Sequence, residues 1–367
     1  MKVIIARYGE IHLRKGNRGI FIKQLEKNTG LKVADERIVC EYDEKIFNKL
    51  QRTFGITSVS IGEQVKHLEI LDEIEKMRFD GTFKVSVNRA DRTFEYRSPE
   101  LNAICGDIIL KNNKNAKVDL VNPKTTIYID IRPNDRAFIF KHRRRGPGGL
   151  PVGVSGRGLS LISGGIDSPV SSYLGAKRGL SIDFLHFASP PYTSEQALNK
   201  VKKLCGIVAN YSMNCKLFVV PFTKIQEEIR KHCKEEYTIT IMRRFMLVIA
   251  EKFKYDCIIT GENLAQVASQ TVEGIASNNC VAGNSLVLRP LIFADKEEII
   301  EKAKQIGTYE TSILPYEDCC TVFVPRHPII KPDIKKVEEE EKKLDFNKLA
   351  EEAYNEVCIH KVVSLEE

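Results

Sequence analysis

An apolar run, Leu159-Ser-Leu-Ile, stops at Ser163-Gly-Gly-Ile-Asp-Ser168, and a helix-compatible segment over 170–178 follows. A buried strand that hands over to a helix through so short and side-chain-poor a turn commits the surrounding chain to an α/β unit. The turn is also an anion site. Its backbone N–H groups lack intrachain acceptors, the helix dipole adds partial positive charge, and two glycines allow a phosphate close to the backbone. Asp167 runs against this, since a carboxylate repels phosphate, and it makes sense where a divalent cation or a transient proton partner stands between them.

The chain after about residue 150 alternates as such a unit requires. Strands over 158–163, 181–187, 216–221 and 257–260 are each followed by helical segments, at 168–179, 194–207, 222–235 with 239–254, and from about 264. A short strand at 286–288 and a helix at 295–306 complete the series, and 333–367, rich in Glu and Lys, reads as one surface helix and a tail. Repeated β-then-α order predicts a doubly wound parallel sheet, with its ligand crevice beyond the carboxyl ends of the strands.

The front of the chain has another rhythm. A strand at 2–6, a helix at 15–27 with Ile20, Phe21 and Leu25 on one face, an alternating stretch at 32–39, a helix at 44–51 and a strand at 57–62 form an α+β unit of ferredoxin-like type. A second unit has a helix at 67–77, a strand at 83–89, a helix from Ser98-Pro99 to about residue 110, and strands at 125–131 and 136–141 around the hairpin signal Pro133-Asn-Asp. It ends in Lys141-His-Arg-Arg-Arg-Gly-Pro-Gly-Gly-Leu-Pro151, four cations beside a Gly/Pro linker. Over 1–150 the basic side chains exceed the acidic ones by nine, whereas 151–367 is slightly acidic. A basic half joined to a near-neutral half with an anion loop points to a polyanion held by one and chemistry done by the other. The ten cysteines include no Cys-x-x-Cys spacing, so neither a zinc ribbon nor a thioredoxin-like motif is expected. No run is apolar enough to span a bilayer and the N-terminus lacks a signal-peptide pattern, so the expectation is a cytoplasmic protein without a membrane partner.

Ser163-Gly-Gly-Ile-Asp-Ser168 matches neither a P-loop nor a dinucleotide fingerprint. It resembles the PP-loop of the ATP pyrophosphatases. Together with Arg7-Tyr-Gly-Glu-Ile, Lys15-Gly-Asn-Arg18, the Arg143-Arg-Arg-Gly-Pro-Gly-Gly run, Met242-Arg-Arg244, Thr260-Gly-Glu-Asn and Pro315-Tyr-Glu-Asp-Cys-Cys-Thr321, it is similar to the tRNA 4-thiouridine synthetases (tRNA sulfurtransferases) over essentially the whole chain. The resemblance implies a ferredoxin-like domain at 1–62, an RNA-binding THUMP domain at 63–150, and a PP-loop domain of adenine nucleotide alpha hydrolase-like fold at 151–332, followed by a helix and tail at 333–367. It implies ATP-dependent replacement of a uridine oxygen in tRNA by sulfur, by way of an adenylated uridine and a cysteine persulfide.

By the same resemblance ATP, with Mg2+, is held around Leu161, Ile162, Ser163, Gly164, Gly165, Asp167 and Ser168, by His186 and Phe187, and by Arg243, Gly261 and Gln270. Which of Arg243 and Arg244 faces the nucleotide stays open, because neighbours on a helix cannot both do so. Asp167 and Cys320 are the expected catalytic residues. Cys319 and Cys320, in a Pro- and Asp-rich loop, read as exposed thiols, and the remaining cysteines mostly as core. Arg7, Lys15, Arg18, Arg92, Arg97, Lys141, Arg143, Arg144 and Arg145 are the candidate RNA contacts. Partners are then tRNA and a cysteine desulfurase as persulfide donor, and a homodimer is compatible with the sequence. The stretch after Pro332 is too short for the rhodanese domain that some members carry, and on which a role in thiamine synthesis is thought to depend. The alternatives are another PP-loop tRNA-modifying enzyme, of 2-thiouridine or lysidine type, and a THUMP RNA-binding protein without catalysis.

Overall fold

Two stretches of apolar alternation at the N-terminus build the first sheet. The computed structural model describes residues 1–316, 319–323 and 325–364, with only the backbone at Cys320 and Thr321. It divides into two compact units, Met1–Gly149 and Leu150–Glu367. In the first, strand β1 (Lys2–Tyr8) is followed by helix α1 (Arg18–Thr29), β2 (Val33–Ala34), β3 (Arg37–Glu41), α2 (Glu44–Arg52) and β4 (Ile56–Val65). Then come α3 (Ile70–Glu75), β5 (Gly81–Arg89), α4 (Ser98–Asn112), β6 (Ala116–Val118), β7 (Thr125–Arg132), β8 (Arg136–Phe140) and the two-residue β9 (Arg144–Arg145).

The strands join in the order β2-β3-β1-β4-β8-β7-β5-β6, with β9 also on β4. β4 is the seam. It pairs antiparallel with β1 along its length and with β8 through Gly62↔Phe140 to Val65↔Ala137, so the 1–62 and 63–150 segments share one sheet. Gly62 is required at this seam, because a Cβ there would lie 2.6 Å from the Ile139 carbonyl oxygen. In α1, Phe21 and Leu25 are buried one turn apart, whereas Ile20 is exposed, a quarter-turn or more away from that face. The α4 face Leu101, Cys105 and Ile109 packs with Ile127, Ile129 and Ile131 of β7 in one cluster.

The second unit runs β10 (Arg157–Leu161), α5 (Asp167–Lys177), β11 (Ser181–Ala188), α6 (Glu195–Ser212), β12 (Cys215–Pro221), α7 (Thr223–His232), α8 (Thr238–Lys252), β13 (Cys257–Ile259), α9 (Val272–Asn279), β14 (Leu286–Leu288) and α10 (Lys296–Ile306). The short helices α11 (Tyr309–Ser312) and α12 (Cys319–Val322) precede α13 (Ile334–Glu341), α14 (Phe346–Asn355) and β15 (Cys358–Val362). Sheet order is β14-β13-β10-β11-β12-β15, parallel from β14 to β12. The chain leaves β10 towards β11 and later returns to its other side as β13, so the turn after β10 sits at the topological switch point, where α/β sheets open a crevice.

Two expectations need correction. The stretch 264–271 is not helical: Ala265 takes a left-handed φ of 62° and its N–H bonds the Gln270 carbonyl, and the helix starts only after Thr271, whose Oγ1 caps Gly274 N at 3.0 Å. The C-terminal stretch is not one surface helix with a tail. Two helices bury Val337, Leu349 and Ala350 in the core shared with α8, and β15 pairs antiparallel with β12, so the sheet is mixed at that edge. Among the described residues no helix is long and apolar enough to cross a membrane.

Candidate active site and basic surface

The loop between β10 and α5 is shaped by its serines. Ser168 Oγ accepts from Ser163 N at 2.9 Å, and Ser163 Oγ accepts from Gly165 N at 3.3 Å, which bends the chain back over the helix start. Ile166 stands at the N-cap of α5 without a side-chain cap bond, and Asp167 and Ser168 of the first turn line the crevice, so the positive end of the helix dipole lies beside it. Gly261, just past β13, is needed for contact with this turn: a Cβ would lie 2.9 Å from Ser168 N.

A cavity of about 210 Å³ opens there, lined by Leu161, Ser163, Gly165, Asp167 and Ser168 from the loop side and by Arg243, Gly261 and Gln270 opposite. Met246, Leu247, Thr260, Glu262 and Asn278, none of them expected from sequence, complete the lining. The expected residues Ile162, Gly164, His186 and Phe187 lie outside it. His186 is buried, and its Nδ1 donates to the Ile162 carbonyl at 3.0 Å, tying the ends of β10 and β11 together; Phe187 packs edge-on to Phe222 in the core.

Asp167 has a cationic partner that the sequence did not reveal. Lys296, the first residue of α10, places Nζ 2.6 Å from Asp167 Oδ1, and Gln266 Nε2 donates to Oδ2 at 2.8 Å. The Asp167 carboxylate, which lines the cavity, is therefore balanced by an ammonium. The two adjacent arginines divide cleanly. Arg243 faces the cavity and bonds Glu262 Oε1 at 2.9 Å, while Glu262 Oε2 accepts from Arg289 Nε at 2.7 Å. Arg244 is 2% exposed and makes a bidentate pair with Glu341 of α13, at 2.6 and 2.9 Å, plus a bond to the Ser277 carbonyl. It is a structural ion pair, and the spacing of a Glu/Lys-rich helix gave no sign of it.

Two buried acceptors in the lining, Gln270 Oε1 and Asn278 Oδ1, have no hydrogen-bond partner among the described residues. Orphaned buried acceptors are costly unless a ligand donor meets them, and an exocyclic amine or ribose hydroxyl is such a donor. Apolar Leu161, Met246 and Leu247 also line the cavity, as do Asp167 and Ser168 of the first turn of α5, so apolar surface and a helix N-terminus meet in one space.

The cysteines need a correction too. Cys319 is buried in the core cluster and begins a helical turn, so it is not the exposed loop thiol expected. The Cys320 side chain lies outside the described residues, and only its place in α12 is given. Cys280 and Cys358 are exposed, while Cys105, Cys205, Cys215 and Cys257 are buried.

In the first unit a second cavity, about 620 Å³, is lined by Pro123, Lys124, Thr126, Tyr128, Lys141, His142, Arg143 and Arg144. The Arg143 guanidinium lies 4.0 Å from the Tyr128 ring centroid, and Arg7 stacks 4.5 Å from Phe140, so cations alternate with aromatic faces. Beneath them Asp130 is buried, ion-paired with Arg37 and, at 3.1 Å, with Arg132, while Arg7 stands 3.8 Å away. Burial and the nearby Arg143 press the Arg7 pKa down to about 10, as expected where cations outnumber carboxylates. Lys15, Arg92, Arg97 and Arg145 are exposed, whereas Arg18 is engaged with Tyr8 and Glu36.

Three family models match parts of the chain. Residues 153–346 match the family described as thiamine biosynthesis protein (ThiI), 66–140 the THUMP domain, and 3–60 the ThiI ferredoxin-like domain. A probable tRNA sulfurtransferase of Moorella thermoacetica is 44% identical over 371 residues, 95% of each chain. One of Finegoldia magna is 43% identical over 98% of each. Among solved structures, a 4-thiouridine synthetase in complex with RNA and bound ATP superposes with a TM-score of 0.88 at 37% identity, covering 99% of this chain and 100% of that one.

Proposed function

The chain belongs to the tRNA sulfurtransferase (ThiI) family, and we propose that it forms 4-thiouridine in tRNA by activating the uridine with ATP at the β10–α5 loop and delivering sulfur from Cys320. The observation that carries this reading is the cavity in which the helix N-terminus, Asp167 with Lys296, Arg243 and two unpaired amide oxygens converge at the switch point of the sheet.

In this reading the adenine lies against Leu161, Met246 and Leu247 and donates to Gln270 or Asn278, and the phosphates lie on the loop of Ser163, Gly164, Gly165 and Ser168. Gly261 lets that loop close, and His186 holds the Ile162 carbonyl, with Phe187 fixing the strand end behind it. Uridine O4 attacks the α-phosphate and pyrophosphate leaves. Positioning and charge neutralisation by Lys296 and Arg243 carry this step. Asp167 fits Mg2+ as well, since this ion is usually held by one or two carboxylates with substrate phosphates supplying the rest; bound there, it would neutralise charge on those phosphates.

In the second step the terminal sulfur of a Cys320 persulfide attacks C4, the C4–O bond breaks and AMP departs with that oxygen. An external thiol then attacks the Cys320 sulfur of the resulting disulfide. This frees the 4-thiouridine sulfur and leaves a mixed disulfide on Cys320, which a second thiol reduces. A cysteine desulfurase is the fitting source of the persulfide. The tRNA backbone is held by the basic surface around Lys124, Lys141, Arg143 and Arg144, with Arg7, Lys15, Arg92, Arg97 and Arg145 as further phosphate contacts and Arg18 as a reserve cation beside Glu36.

The test is a reconstituted reaction with unmodified tRNA, ATP and a persulfide donor. Nucleoside analysis is expected to show 4-thiouridine matched one to one by pyrophosphate, and Cys320→Ala to keep pyrophosphate release while losing thiolation. Thiolation by Cys320→Ala at the parent rate contradicts the carrier role.

A further inference from the structure

The segment that carries the cysteines is tied at both ends by buried polar side chains with no part in the steps above. Lys200, on α6 and 7% exposed, donates Nζ to the Leu314 carbonyl at 2.8 Å. Gln226, on α7 and wholly buried, donates Nε2 to the Cys319 carbonyl at 2.8 Å, while its Oε1 accepts from Ser189 Oγ at the end of β11. Between these two anchored carbonyls lie Pro315, Tyr316, Glu317 and Asp318, of which the last two fall outside the described residues. Just upstream, Ser312 Oγ donates to the carbonyl of Gly165 in the nucleotide loop at 3.2 Å, and further downstream Thr271 Oγ1 donates to the Ile330 carbonyl at 2.6 Å.

A buried ammonium and a buried amide are expensive choices for interior helix positions. Met or Leu would fill the same volume without loss of hydration. Each directs a donor to a backbone carbonyl of one short segment, and a carbonyl held in this way fixes chain position whatever side chain the residue carries. One of the two held carbonyls is that of Cys319, directly before Cys320, and Ser312, two residues before the other, bonds the very loop proposed to hold the phosphates.

We propose that Lys200 and Gln226 are positioning residues for sulfur transfer, holding the Cys319–Cys320 turn in register with the nucleotide loop. The proposal rests on the reading of Cys320 as sulfur carrier. Displacement of a reacting group by about 1 Å costs on the order of 10²-fold in rate, so the loss should fall on the persulfide step and spare activation.

Gln226→Leu and Lys200→Met test this, with Lys200→Arg as the variant that keeps a cationic donor. Three rates are read on each: pyrophosphate release with tRNA and ATP, thiolation with a persulfide donor, and thiolation with inorganic sulfide as a free nucleophile that bypasses the carrier. The expected result for Gln226→Leu and Lys200→Met is a persulfide-dependent rate down about 10²-fold, with the other two rates changed by less than about 2-fold. Lys200→Arg is expected to recover most of the loss. A persulfide-dependent rate that stays with the other two overturns the proposal, and so does an equal fall in all three rates with a lowered melting temperature, which marks a purely structural role. Cys320→Ala, assayed alongside, separates the two claims: if it keeps persulfide-dependent thiolation, the carrier reading fails, and the positioning proposal with it, whatever the Gln226 and Lys200 variants do.

Discussion

Lys296 Nζ stands 2.6 Å from Asp167 Oδ1, although 129 residues separate them in the chain. The first residue of α10 thus answers the one carboxylate in the nucleotide loop. Lys296→Met leaves Asp167 to repel the phosphates and removes a cation from the developing charge, so pyrophosphate release is expected to fall about 10²–10³-fold, with partial recovery in Lys296→Arg. Release measured with tRNA at saturating ATP checks it.

Arg243 and Arg244 should fail in opposite ways. Arg244→Leu empties a buried cation site and leaves the half-buried Glu341 carboxylate without its bidentate partner, and it is expected to cost about 3 kcal/mol of stability, seen as a lowered denaturation midpoint. Arg243→Leu removes a cavity-lining cation at a more solvated ion pair, so its main effect is slower pyrophosphate release together with a raised KM for ATP, at a nearly unchanged denaturation midpoint. Denaturation curves and ATP titration on the same preparations distinguish the two.

How far the sequence carried depended on whether each feature was local. The strand, tight turn and helix at 159–178 were legible because each element signals itself within a few residues, and the β-then-α order located the crevice. Lys296 and Asn278 were not, since nothing near them marks a partner that only the sheet's switch point brings close. The C-terminal stretch misled for a different reason. Its abundant Glu and Lys mask a sparse apolar set, Val337, Leu349 and Ala350, and two of its carboxylates face inward: Glu341 to Arg244, and the buried Glu340, which accepts from Lys234 N. Cys319 looked exposed because residue type alone does not tell whether a position in a short helical turn points into a core.

RNA binding by the basic surface should be governed by salt. Arg143→Ala and Arg144→Ala are each expected to weaken tRNA binding about uniformly across sequences and to lower the slope of log K against log salt by about 1. Arg143→Ala also loses its stacking on Tyr128, so it should cost more at every salt concentration. Filter binding across a salt series reads both effects.

Thiol reactivity should follow burial. Desolvation pushes Cys105 and Cys215 up to about 12, so at pH 8 the reactive thiolate is scarce as well as shielded. Exposed Cys280 and Cys358 are expected to take up iodoacetamide in the native protein, with Cys105, Cys205 and Cys215 alkylated only after denaturation. Peptide mass mapping before and after unfolding checks this.

The account turns on uridine O4 becoming an oxygen of AMP. With tRNA carrying 18O at O4 of the target uridine, one turnover is predicted to yield AMP bearing a single 18O atom, in step with 4-thiouridine. AMP without the label, while 4-thiouridine still forms, would contradict activation of the base by the nucleotide at this loop.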